Sequence, residues 1–226
     1  MNVNQRLVAP DLWIVPLRRP DLLNVYVAGD VLIDAGPSFT TRSLVAVLQV
    51  HPISVHVLTH AHFDHQGGSR AVCEAFGAPL WCGAGDREAA KTDDWAHLLP
   101  HPDGWVARLS RRLASPGHPV ARVLKDGDEV GELTVIEAPG HTPGHLAFWR
   151  ERDRVLILGD VLFHRNPVTC RAGLTEPFRF ATFDPSTNRE SARRLAALEP
   201  RVVCFGHGGP LTDIARFRDF VEDLPH

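Results

Sequence analysis

The run His60-Ala61-His62-Phe63-Asp64-His65 constrains this chain more than any other stretch of it. It follows Val55-His56-Val57-Leu58, an apolar and β-branched segment that predicts a buried strand. Residues two apart on an extended chain share a face, so His60 and His62 can reach one cation. Asp64 and His65 come where the chain turns and face a neighbouring point. Imidazole nitrogen with carboxylate oxygen suits zinc or a similar first-row divalent ion, not the all-oxygen shell of calcium or magnesium. Histidine pairs will arise by chance in a chain with 13 histidines, but the four-position pattern is far rarer. A catalytic metal is the hypothesis it raises.

Apolar periodicity places this run within a longer order. Strands are predicted at 12–17, 22–28 and 31–34, a helix at 40–50, a helix at 69–76 and a strand at 79–82. Residues 86–118 are polar and irregular, although Trp105, Val106, Leu109 and Leu113 fall at helical spacing against a face of Arg108, Arg111 and Arg112. That charged face reads as solvated. Strands follow at 120–124, 133–138, 146–150 and 155–158, then a loop of roughly 25 residues. A helix at 186–198 is announced by Pro185, and a strand at 202–205 and a helix at 213–221 close the pattern. Strands with helices in each half suggest stacked sheets covered by helices.

Three later motifs each place a possible metal ligand at a predicted strand end. Pro139-Gly140-His141-Thr142-Pro143-Gly144-His145 follows Ala138, Gly159-Asp160 follows Leu158, and Gly206-His207-Gly208-Gly209 follows Phe205. The glycines let the backbone turn sharply there. Each motif alone is weak, since most such pairs are turns. Joined to the hexapeptide they form a consistent set.

With these motifs in this order over nearly its whole length, the chain resembles the metallo-β-lactamase superfamily, and within it the small glyoxalase II-like hydrolases. The resemblance implies an α/β (α+β) fold, a four-layer αββα sandwich, in one domain spanning 1–226. It implies a dinuclear site at one edge of the β-sandwich. His60, His62 and His141 would hold one metal, Asp64, His65 and His207 the other, and Asp160 would bridge them. The expected cofactors are two divalent ions, zinc first, with iron or manganese as alternatives. Asp64 and Asp160 are the candidate catalytic residues, Asp64 also orienting water or moving a proton. His145 is expected outside the ligand set, supplying an outer hydrogen bond.

A dinuclear centre can generate hydroxide at neutral pH, which suits hydrolysis of an ester, thioester or related acyl substrate. A lactonase or phosphodiesterase would use the same ligands, and so could a mononuclear iron persulfide dioxygenase through His60, His62, His141 and Asp160. A binding protein with structural metals is the non-enzyme alternative. Asp160 differs from the bridging position of the true β-lactamases, which argues against antibiotic hydrolysis. The tyrosine of acyl-homoserine lactonases has no counterpart, because the only tyrosine, Tyr26, lies in an early strand. The motif match to glyoxalase II is close, yet the expected carboxy-terminal helical domain that grips glutathione is missing after His207. Specificity is expected from segments 86–118 and 163–184. His164 and Arg165 are candidates for a substrate carboxylate or phosphate, and Phe178, with Phe180 and Phe183, for an apolar wall. The competing reading caps the core with these aromatics and leaves the arginines in water.

The net charge of −3 offers no electrostatic footprint for nucleic acid or an anionic membrane, so a small-molecule substrate is the expected partner. Residues 1–10 lack the apolar core of a signal peptide, and no apolar run has membrane-spanning length. Cys73, Cys82, Cys170 and Cys204 form no CxxC pair and read as reduced. A cytoplasmic location follows as the expectation.

Overall fold

The amino-terminal strands are apolar on both faces, and the alternation sorts their side chains between two different cores. Leu12, Ile14, Tyr26 and Ile33 point one way, into a cluster shared with Val135, Phe148, Val155 and Ile157 of the second half. Val15, Leu17, Val25, Val27 and Leu32 point the other way, onto helices. A sheet covered on both sides is the arrangement that such strands require.

The computed structural model describes residues 5–18, 20–111 and 116–225. Sheet 1 runs in chain order through β1 (Arg6–Ala9), β2 (Leu12–Arg18), β3 (Leu23–Ala28), β4 (Val31–Ile33), β5 (Val55–Val57), β6 (Leu80–Gly83) and β7 (Val120–Leu124). Its first four strands are antiparallel, and β4 through β7 are parallel. The second half contributes β8 (Glu129–Val130), β9 (Leu133–Glu137), β10 (Leu146–Arg150) and β11 (Val155–Ile157). A separate hairpin, β12 (Phe163–Arg165) and β13 (Ala172–Thr175), precedes β14 (Val202–Cys204). Sheet 2 has the order β14-β11-β10-β9-β8.

The helices are α1 (Thr41–Leu48), α2 (Phe63–Gln66), α3 (Ser69–Phe76), α4 (Arg87–Thr92), α5 (Trp105–Ser110), α6 (Pro185–Ala196) and α7 (Ile214–Glu222). Leu44 and Leu48 of α1 and Val72 of α3 cover the outer face of sheet 1. Ala192 and Leu195 of α6 and Phe217 and Val221 of α7 cover Trp149, Leu156 and Val203 of sheet 2. The layers are therefore α, β, β, α. Asp184 caps α6 by accepting from the Ser186 and Thr187 backbone N–H groups, and hydrogen bonds from the Ser186 and Thr187 hydroxyls, helped by those N–H groups, pull its carboxyl down to about 2.

Several expectations need correction. The long loop after Asp160 contains the β12–β13 hairpin, and α4 occupies part of the irregular segment. The expected helix from Trp105 runs to Ser110; Arg112 and Leu113 lie outside the described residues, as does His226. Among the described residues no helix is long and apolar enough to cross a membrane.

His56 shows the energetic logic of this core. It is fully buried, donating from Nδ1 to Leu32 O (3.3 Å) and accepting at Nε2 from Ser69 Oγ (2.8 Å). Burial pushes its imidazole from 6.5 down to about 4. The unfolded chain therefore takes up a proton first as pH falls. The stabilisation is complete above about pH 6.5 and is lost towards pH 4, a change of about 3 kcal/mol. Urea unfolding of wild type and His56→Gln between pH 7.5 and 4.5 should give a shallower slope for the variant; equal slopes would show that His56 titrates alike in both states.

Candidate metal centre

Strand direction brings the motifs together. β9, β11 and β14 run the same way in sheet 2, because β10 is antiparallel to both β9 and β11, and β14 is parallel to β11. The loops that follow them therefore leave from one edge of that sheet, carrying His141, Asp160 and His207. β5 of sheet 1 ends beside them and delivers His60 and His62, with Asp64 and His65 in the single turn of α2.

All seven side chains meet there. The potential ligand atoms of His60, His62 and His141 lie within 4.8 Å of one another, as do those of Asp64, His65 and His207. Asp160 falls between the two groups. Its Oδ2 is 3.0 Å from His207 Nε2 and 3.4 Å from His65 Nε2, and 3.8 Å and 4.0 Å from His141 and His60 Nε2. Asp64 Oδ2 stands 3.4 Å from His207 Nε2.

Outer contacts set which nitrogen each ring presents. His65 donates from Nδ1 to Asp34 Oδ2 (2.8 Å), and His207 donates from Nδ1 to Leu22 O (2.6 Å). Thr59 Oγ1 gives its proton to Asp34 and so accepts from His60 Nδ1 (3.1 Å). Thr182 Oγ1 likewise donates to Phe178 O and accepts from His141 Nδ1 (3.2 Å). With Nδ1 committed in four rings, the Nε2 lone pairs turn to the centre. Nε2 of His60, His62, His65 and His141, with Asp160 Oδ1, is buried without a hydrogen-bond partner. Buried polar atoms are rarely left so, and a cation would satisfy them together.

The electrostatics divide the centre. Burial, reinforced by neighbouring imidazoles, holds His60 and His141 well below the ordinary histidine range, and burial brings His62 down to about 4. These rings are neutral and free to ligate. Burial acts against protonation of His65 and His207 as well, but the Asp160, Asp34 and Asp64 carboxylates outweigh it. His65 rises well above its usual value and His207 to about 10. The carboxylates draw positive charge to this half.

The backbone near Asp160 leaves no spare volume. A Cβ on Gly206 would lie 2.1 Å from Asp160 Oδ1. His145 accepts the Asp160 N–H at Nε2 (3.1 Å) and stacks on His60 with ring centroids 5.0 Å apart. It thus stands outside the ligand cluster and holds the aspartate's main chain.

Above the centre lies a cleft of about 360 Å³. Its floor is His62, Asp64, His141, Asp160 and His207, and its walls come from segments 86–118 and 163–184 together with Phe63. Phe178 and Phe180 line it. His164 and Arg165 do not. His164 alternates with Phe163 along β12, so its ring turns away to Gly209 O (2.7 Å) and Phe205. The Arg165 guanidinium is engaged by Cys170 O at 2.6 Å. Phe183, half exposed, is also outside the lining.

The metallo-beta-lactamase superfamily model matches residues 19–207, a span that includes all seven donors. The chain belongs to that superfamily. It is 31% identical over 182 residues to the probable metallo-hydrolase YflN of Bacillus subtilis, covering 74% of this chain and 67% of the relative. It is 33% identical over 179 residues to a hydroxyacylglutathione hydrolase of Rhodospirillum rubrum, covering 76% of this chain but 55% of that enzyme. Among solved structures, TTHA1623 in a di-iron-bound form superposes with a TM-score of 0.67 at 29% identity, covering 86% of this chain and 92% of the other. The superfamily binds metal ions, and the two sequence relatives carry hydrolase names.

Two carboxylates that tie this superfamily site together escape motif reading. Asp34 accepts from Thr59 N (2.7 Å), Thr59 Oγ1 and His65 Nδ1. Asp86 accepts from Ala61 N (2.7 Å), Thr142 Oγ1 (2.8 Å) and Gly144 N (2.7 Å), clamping the first histidine loop to the Pro139–His145 motif. Burial raises the Asp86 carboxyl to about 6 against the pull of these donors. The only signal available was an aspartate at or just after a predicted strand end. The cysteines take no part. Burial pushes the Cys73, Cys82 and Cys204 thiols up to about 12, and Cys170 is exposed on the hairpin.

Proposed function

We propose that this hydrolase is a dinuclear metal enzyme acting on a carboxylic ester, thioester or related acyl bond. The observation that carries this reading is the convergence of seven nitrogen and oxygen donors in three overlapping groups, with four imidazole Nε2 atoms left unpartnered. The donor set fits zinc, iron or manganese. His60, His62 and His141 would hold one ion, Asp64, His65 and His207 the other, and Asp160 both. The di-iron form of a solved relative supports two ions, and the name of the hydroxyacylglutathione hydrolase supports an acyl substrate.

Ions in such a site activate water as a nucleophile near neutral pH and polarise a scissile carbonyl. The chain's own residues do the rest. Asp160, fixed through His145 and crowded by Gly206, keeps one carboxylate oxygen at the midpoint of the cluster. Asp64 has a partly exposed side chain on the cleft floor, where it can orient a nucleophile and carry a proton outwards. Burial and the His207 and His65 rings act in opposition on its carboxyl, and the rings win, keeping it ionised. Four unpaired cysteines suit a reducing compartment such as the cytoplasm.

Elemental analysis of purified protein, paired with a panel of thioester, ester, lactone, phosphodiester and β-lactam substrates, tests the proposal. The expected result is two ions per chain and turnover of acyl esters or thioesters. One iron per chain with oxygen uptake on a persulfide would overturn it. Inert protein that merely unfolds on chelation would mark the metals as structural.

A further inference from the structure

Apart from the indole nitrogens, every polar side chain lining the cleft belongs to its floor. Among the described residues no lysine or arginine reaches the lining. The two walls that rise from the floor are hydrocarbon and aromatic. Segment 86–118 supplies Trp95 and Trp105, and segment 163–184 supplies Phe163, Val168, Phe178 and Phe180. Phe163 meets His207 edge to face at 4.7 Å, and Phe178 and Phe180 stack at 5.2 Å with a 9° tilt. The apolar surface continues outwards. Trp95 is 6% exposed, but Trp105 and Val168 are each 73% and Phe180 52% exposed.

We propose that this cleft selects an uncharged hydrocarbon acyl group of about six to ten carbons, lying between the walls with its carbonyl on the floor and the polar leaving group outside. This rests on the acyl-hydrolase reading above and adds the substrate class to it. Three arguments carry it. A charged or strongly hydrated group between these walls would lose water and gain no partner, which is costly. The polar half of a thioester must for that reason stay outside, leaving the acyl half to enter. The volume of about 360 Å³ corresponds to about a dozen water-sized groups, enough for a medium chain and too little for a large carrier. In the reaction, the oxygen of water bonds to the acyl carbon, the C–S or C–O bond breaks, and the proton of water ends on the leaving thiol or alcohol.

The test uses the full chain with its metals and two series of neutral esters and thioesters. One varies the acyl chain from acetyl to dodecanoyl with a fixed leaving group, and the other varies the alcohol with acetyl fixed. Values of kcat/KM should rise about threefold per acyl methylene to about eight carbons and then level off. An acyl chain of equal length ending in a carboxylate should be poorer by about 100-fold. Trp105→Ala and Val168→Ala, both at exposed positions, should each reduce the octanoyl-to-acetyl preference by about tenfold. Octanamide should quench tryptophan fluorescence and bind with a negative heat-capacity change, whereas acetamide should not bind. A flat acyl series, a preference for the charged chain, or a rise confined to the alcohol series would overturn the proposal. Octanamide binding without hydrolysis of any ester would sink the hydrolase reading and leave the cleft assignment standing.

Discussion

Asp160→Ala should abolish hydrolysis and lower metal affinity by more than about 100-fold, whereas His145→Ala should cost only about 10–100-fold in either. The asymmetry follows from position. The Asp160 carboxylate lies within 4.0 Å of four imidazole nitrogens and is the one group shared by both halves of the centre. His145 reaches that carboxylate only through the Asp160 main-chain N–H. Without its aspartate, the cluster would lose the negative charge and the carboxylate oxygens that, on the proposed dinuclear reading, would hold both ions. Competition against a chromophoric chelator, with circular dichroism to confirm the fold, would measure the difference. Equal losses in the two variants would mean that His145 has been misplaced outside the ligand set.

The second large effect is expected at a residue outside every motif. Asp34 is buried at 2% exposure and sits at φ +62°, a left-handed conformation that costs a non-glycine residue free energy. That strain persists because three donors converge on its carboxylate. Asp34→Ala would leave the Thr59 N–H, the Thr59 hydroxyl and the His65 Nδ1–H unpaired. At about 1–3 kcal/mol for each buried donor, the fold should lose several kcal/mol. The His65 ring would also be released to the wrong tautomer, so metal affinity should fall about 10–100-fold. Asp34→Asn, which keeps one acceptor oxygen, should fall between the variant and wild type. Urea unfolding and metal titration report the two effects separately, and an Asp34→Ala protein with unaltered metal affinity would refute the linkage.

The legible parts of this molecule are those governed by local pattern. The apolar runs of β2 and β3 and the helical spacing of α3 and α6 could be read because local pattern and burial coincide there. The seven donors were legible because each sits within a few residues of a predicted strand end, where one residue's number fixes its place in the fold. Asp34 and Asp86 were not. Their partners lie 25 to 58 residues away, and nothing local marks a carboxylate that accepts hydrogen bonds from another loop. The hairpin misled for a related reason. The side chains of β12 were assigned to the substrate by closeness to Asp160 in sequence, but alternation and a carbonyl at Cys170 turn His164 and Arg165 elsewhere. Thr182 was hidden too, because its role depends on Phe178 O taking its proton.

The division of donors between the two sheets has a temporal consequence for a chain made from its amino terminus. Four donors are available by His65, all on the sheet 1 side, but the last arrives at His207 after β14. A nascent chain can therefore offer an ion a partial grip long before it can complete either coordination group. Asp160 becomes useful only when sheet 2 has docked, so full affinity is withheld until the two halves have met across their shared apolar seam. Once captured, an ion favours the docked state over every open one by mass action, and it fastens a join that no disulfide crosses among the described residues.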